Sequence, residues 1–135
     1  MVEFFYEEID DLNLDVNVYQ EWLSLVCLKE GKALGDISVV FCSDEYLLGL
    51  NIKHLNHDYY TDIITFDYYT SPVSGDLFIS VERVLDNAGT HNIQFDVELK
   101  RVIVHGVLHL LGYGDKEELD VKVIRAKEDF YISLC

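Results

Sequence analysis

Between Val102 and Leu111 the chain reads Val-Ile-Val-His-Gly-Val-Leu-His-Leu-Leu, an apolar run broken only by Gly106 and two histidines. A helix that is apolar on nearly all sides has no solvated face, so other elements must enclose it. The fold therefore has to be built in layers around this segment. A buried imidazole also needs partners for its ring nitrogens. His105 and His109 stand four residues apart, one turn along the same helix face, where both can converge on one ion. Gly112 is placed to end the helix in a left-handed conformation. The chain can then fold back and carry Asp115 to the same point.

The resulting pattern, H-x-x-x-H-x-x-G-x-x-D, has the spacing of the metzincin zinc motif with two changes. Asp115 stands at the third ligand position, where a carboxylate oxygen is an acceptable zinc ligand. Gly106 stands where the peptidase carries its catalytic glutamate, so that general base is absent. The expected site is one transition-metal ion, zinc by its donor set, on His105, His109 and Asp115. A buried histidine pair that only packs is the alternative.

The rest of the chain supplies the layers. Val2–Tyr6 and the β-branched run Ile37–Cys42 read as strands. Asn17 is placed to cap a helix from Val18 to Lys32, with Gly31 and Gly35 marking its end. Ser43 caps a second helix carrying Leu47, Leu48, Leu50 and Ile52. Thr61–Tyr69 and Asp76–Ser80 read as a strand pair around the turn-rich segment Thr70–Gly75. Helices are expected near residues 81–89, 95–111 and 117–133. This order predicts an α/β (α+β) domain: a small mixed sheet of about four strands with helices packed on it, the metal site lying on a central buried helix and the turn after it. Residues 1–135 are expected to form a single domain.

Half of the residues are hydrophobic and only one is proline, a composition suited to a packed core. The acidic start Met1-Val-Glu-Phe-Phe-Tyr-Glu-Glu does not read as a secretory signal, and no apolar run is long enough for a membrane span. Cys27, Cys42 and Cys135 are widely spaced without a CxxC, which fits a reducing compartment and a cytoplasmic location. Net charge is −15, unfavourable for a generic polyphosphate binder. The charge is uneven, however: residues 1–99 hold 19 acids and 4 bases, whereas residues 100–135 hold 6 of each.

The segment His105-Gly-Val-Leu-His-Leu-Leu-Gly-Tyr113 resembles the signature of the YbeY family of bacterial rRNA-maturation endoribonucleases, H-G-x-L-H-L-x-G-Y-D-H. Leu50-Asn51 followed by Thr61-Asp-Ile-Ile-Thr-Phe66 resembles the family's L-N…T-D-V-L-S-F, and Gly75-Asp-Leu-Phe-Ile-Ser80 its G-D-I-x-I-S. Glu98 precedes the histidines as the family expects, and Glu128 fits a glutamate in its last helix. The resemblance covers about residues 36–132. It implies a zinc-dependent endoribonuclease cutting single-stranded RNA in small-subunit rRNA maturation and ribosome quality control, with the rRNA precursor and small ribosomal subunit as partners.

Two positions depart from the family pattern. Its third histidine is replaced by Asp115 at the same spacing. Its arginine before the T-D segment falls on Leu55 and its proline on Tyr60, which leaves Lys53, His54 or Arg101 to supply the positive charge. Arg101, one turn before His105, and His54 are the candidate helpers. Asp62 and Asp76 can each orient a ligand or serve as a turn or cap residue. Two rival readings share the metal: a peptidase-like hydrolase, and a non-catalytic ribosome-assembly factor with a structural ion.

Overall fold

Alternating burial along Val2–Glu7 builds β1, which pairs in parallel with β2, Leu34–Cys42, in a register that sets Val2 opposite Ile37. Parallel neighbours need a crossover, supplied here by helix α1, Val16–Lys29. The computed structural model describes residues 1–135, the side chain of Thr70 apart. After α2, Asp44–Leu55, the chain forms a hairpin of β3, Ile63–Thr70, and β4, Val73–Ser80. Three helices follow: α3, Val81–His91, α4, Phe95–Leu110, and α5, Glu118–Ile132. The sheet order is β1-β2-β4-β3, with β2 parallel and β3 antiparallel to β4. This is the four-stranded mixed sheet with packed helices that the sequence predicts.

Two local expectations change. Asp15, not Asn17, caps α1: its carboxylate accepts from the Val18 amide at 3.3 Å, so the helix starts two residues earlier than expected. The helix stops at Lys29, short of Lys32, because Gly31 at φ +74° turns the chain: its amide donates to the Leu28 carbonyl at 3.0 Å and the Lys32 amide to the Cys27 carbonyl at 2.9 Å. The turn-rich segment 70–75 contributes to a strand from Val73 onwards. β4 is flanked by β2 and β3, and its first amide donates to the Ala33 carbonyl at 2.8 Å, so pairing on both edges outweighs the local turn preference.

The two sheet faces carry unequal cores. Helix α2 covers a small one, where Leu47 meets Cys42 and Ile64. The main core joins Leu77 and Ile79 of β4 to Trp22, Leu23 and Val26 of α1 and to Leu99, Ile103 and Val107 of α4. Helix α4 comes close to the sheet through two glycines. A Cβ on Gly106 would lie 2.7 Å from Ile63 Cδ1 and 2.9 Å from Leu77 Cδ2, and one on Gly75 would lie 2.7 Å from Leu110 Cδ2 of α4. The sheet side of α4 is thus sealed. His105 and His109, both partly buried, stand outside that seal.

Candidate metal centre and its cleft

Helix α4 ends where the sequence places its stop. Gly112 has φ +104°, its amide donates to the His109 carbonyl at 3.0 Å, and the Tyr113 amide reaches back to the Leu108 carbonyl at 3.0 Å. This paired closure reverses the chain. It aims the Tyr113 carbonyl at His109 and brings Asp115 round to both rings. His105 Nε2 and His109 Nε2 lie 2.9 Å apart, and Asp115 Oδ2 is 3.4 Å from the first and 3.2 Å from the second. His105, His109 and Asp115 are the set of side chains that could hold a metal ion among the described residues.

The far side of each ring decides what the near side offers. His109 Nδ1 lies 2.7 Å from the Tyr113 carbonyl, which can only accept, so Nδ1 carries the proton and Nε2 a lone pair. His105 Nδ1 donates to Glu128 Oε2 at 2.6 Å. Glu128 is 3% exposed and is paired with Arg101, whose Nη1 donates to Oε1 at 3.0 Å while Nη2 reaches Asp129 at 2.7 Å. With neutral rings, two nitrogen lone pairs and a carboxylate oxygen meet at one point with no proton between them. Three acceptors so close repel one another, and a borderline-soft divalent cation removes that repulsion. Burial works against a charged ring at His105, but the hydrogen bond and charge of Glu128 outweigh it, with Asp115 and Asp62 adding, and raise its pKa. An arriving cation therefore competes with a proton at His105.

A cleft of about 330 Å³ opens from this junction between α4 and α5. One wall is an α4 face carrying Glu98, Arg101 and His105; the other is an α5 face carrying Ile124, Arg125 and Glu128. Asp62, just before β3, and His91, at the end of α3, close it. Burial pushes the Asp62 and Glu98 carboxyls above the usual carboxylate range.

The profile of the family described as "Endoribonuclease YbeY" matches residues 6–134 of this chain. The chain belongs to the YbeY family. An "Endoribonuclease YbeY" from Flavobacterium johnsoniae is 47% identical over 135 residues, covering 99% of this chain and 96% of its own length. One of the same description from Porphyromonas gingivalis is 43% identical over 129 residues, covering 95% of this chain and 85% of its own. A solution structure of a Thermotoga maritima protein superposes with a TM-score of 0.71 at 26% identity, covering 98% of this chain and 87% of that one.

Within this YbeY fold the other sequence candidates separate. Arg101 and Asp62 line the cleft. His54 does not: it sits in the last turn of α2 with its ring edge-on to Phe66, centroids 5.7 Å apart. Lys53 and Leu55 are exposed on the same turn. Asp76 accepts from the Tyr68 hydroxyl at 2.6 Å on the exposed surface, away from the cleft residues. Tyr60 bonds Glu45 and lies under the Arg83 guanidinium, 5.3 Å from its ring centre. Sequence reasoning gave His91 and the Tyr113 carbonyl no place in the site and read Arg125, among the basic residues around the histidines, as part of a solvated helix face. Arg125 carried a readable signal, standing one turn before Glu128 on the α5 face that also bears Ile124. A backbone carbonyl carries none.

Proposed function

We propose that this chain is a metal-dependent endoribonuclease that cuts single-stranded RNA, with one zinc ion on His105, His109 and Asp115. The observation that carries the metal is the convergence of three potential ligand atoms within 3.4 Å of one another. Membership of a family whose relatives are named endoribonucleases supports RNA as the substrate. In this reading residues 1–135 act as one hydrolase unit on small-subunit rRNA precursors in the cytoplasm, with a part in ribosome quality control. Among the described residues no helix is long and apolar enough to cross a membrane.

A bound zinc ion supplies Lewis acidity toward a phosphodiester and lowers the pKa of water towards neutrality. The protein's own groups prepare the site. Glu128 and the Tyr113 carbonyl hold the proton of each ring on Nδ1, which leaves Nε2 free and makes it a stronger donor to a cation. Arg101 holds Glu128 in place through its 3.0 Å ion pair. Asp62, half-buried beside His105, is positioned to orient water or a ribose hydroxyl.

The peptidase alternative is disfavoured at Gly106. A side chain there would run into Ile63 and Leu77 of the sheet, so this position cannot present a glutamate to the cleft without repacking the core. The test is direct. Chelator-treated protein should lose cleavage of a single-stranded RNA and regain it with stoichiometric zinc, while casein stays intact throughout. RNA left uncut by fully metallated protein would sink the proposal. An assembly factor with a structural ion predicts a different result: His109→Ala unfolds the protein instead of inactivating a folded one.

A further inference from the structure

The cleft beside His105 contains two arginines in different states. Arg101 is 17% exposed and engaged on both sides, by Glu128 and by Asp129. Arg125 is 64% exposed, and its one ion pair among the described residues is a loose 3.8 Å approach to Glu128 Oε1. Its planar donors are therefore open, and they belong to a group that stays charged at any working pH. A single carboxylate separates them from the metal centre, since the other Glu128 oxygen holds His105 Nδ1 at 2.6 Å. Of the four carboxyls lining the cleft, Glu98 and Glu128 are buried, the latter paired with Arg101, Asp62 is half-buried, and Asp115, 44% exposed, is the one assigned to the ion. Residues 1–99 carry all of the chain's net charge of −15, so a polyanion needs a local cation to enter.

We infer that the mouth of the cleft is a phosphate subsite, in which Arg125 holds a backbone phosphate of the RNA strand next to the one at the metal centre. This rests on the nuclease reading above. Arg125 is then a substrate-binding residue, and Arg101 a positioning residue that acts through Glu128. A fork of planar donors suits a phosphate's paired oxygens, and a contact with backbone phosphate adds affinity without base preference.

The experiment uses the full chain with zinc and a fluorescein-labelled single-stranded oligoribonucleotide. Anisotropy is read across a salt series, and cleavage in parallel. Arg125→Ala should weaken binding about ten-fold at low salt. It should also make the salt dependence shallower by about 0.7, the slope of one lost phosphate contact on a single strand. KM should rise with kcat within about two-fold, and Arg125→Lys should recover part of the affinity. Lys122→Ala, on the same helix but outside the cleft, should leave binding unchanged.

Wild-type protein that binds and cuts, with Arg125→Ala equal to it in affinity and salt slope, overturns this inference alone. Wild-type protein that neither binds nor cuts overturns the nuclease reading with it. Arg125→Gln losing zinc in step with RNA affinity also overturns the inference, because the residue would then be acting through Glu128.

Discussion

The Nδ1 of His109 faces a carbonyl and the Nδ1 of His105 faces a carboxylate, and this difference separates two ways of holding a ligand. A carbonyl fixes the ring's proton without adding charge. A carboxylate fixes it and also makes the ring more basic. Glu128→Gln keeps an acceptor near His105 but removes the charge and half of Arg101's pairing. Zinc affinity is expected to fall about 10–100-fold, measured by competition with a chromophoric chelator on protein shown to be folded. Unchanged affinity would mean that Glu128 is only a packed, ion-paired core residue. At this scale the candidate ligands were legible, because helical periodicity puts residues four apart on one face. Glu128 was legible only through family resemblance, since it lies 23 residues from His105 and a sequence has no means of stating which helix faces which.

At the scale of the element, α4 shows what a glycine inside a helix is for. Alanine normally stabilises a helix interior relative to glycine by about 0.5–1 kcal/mol. Gly49, on the exposed side of α2, has nothing within 4 Å of where a Cβ would sit, so Gly49→Ala should raise stability by about that amount. Gly106 meets the ends of Ile63 and Leu77, and Leu77 is fully buried. Overpacking there costs about 1–3 kcal/mol, more than the helix gains, so Gly106→Ala should lower stability. Urea midpoints of the two variants should move in opposite directions, and a rise for both would refute the close packing of α4 on the sheet. Most elements were readable because apolar spacing and caps act locally, as at Ser43, whose Oγ accepts from the Tyr46 amide at 3.1 Å. The strand start at Val73 was not, because its pairing partners come from β2 and β3.

At the scale of the molecule, Glu30 ties the end of α1 to the turn after α4 and to α5. Its carboxylate accepts from the Tyr113 and Tyr131 hydroxyls and from Lys127 Nζ at 3.0 Å, with its side chain 8% exposed. Burial pushes this carboxyl up, but the three hydrogen bonds and the Lys127 charge outweigh it and hold its pKa below the ordinary 4.5. A carboxyl with a depressed folded pKa stabilises fully above its unfolded value, and that contribution is lost as pH falls through the folded one. Glu30→Gln should therefore cost about 1–3 kcal/mol at neutral pH. The gap between mutant and wild type should close as the pH falls below 4.5. A gap independent of pH in urea titrations would show that the cluster acts by shape alone.

The sequence by itself determined the order of strands and helices, the buried helix, and two histidines on one face of it followed by a glycine stop. Each of these follows from interactions within a few residues, which spacing and side-chain type specify. Only the tertiary structure decided the strand order, the partners on the far side of each imidazole, the cleft between α4 and α5, and the contrast between a clamped Arg101 and an open Arg125. Those depend on which surfaces meet across long stretches of chain. The free energy of that meeting is shared among many residues and written at none of them.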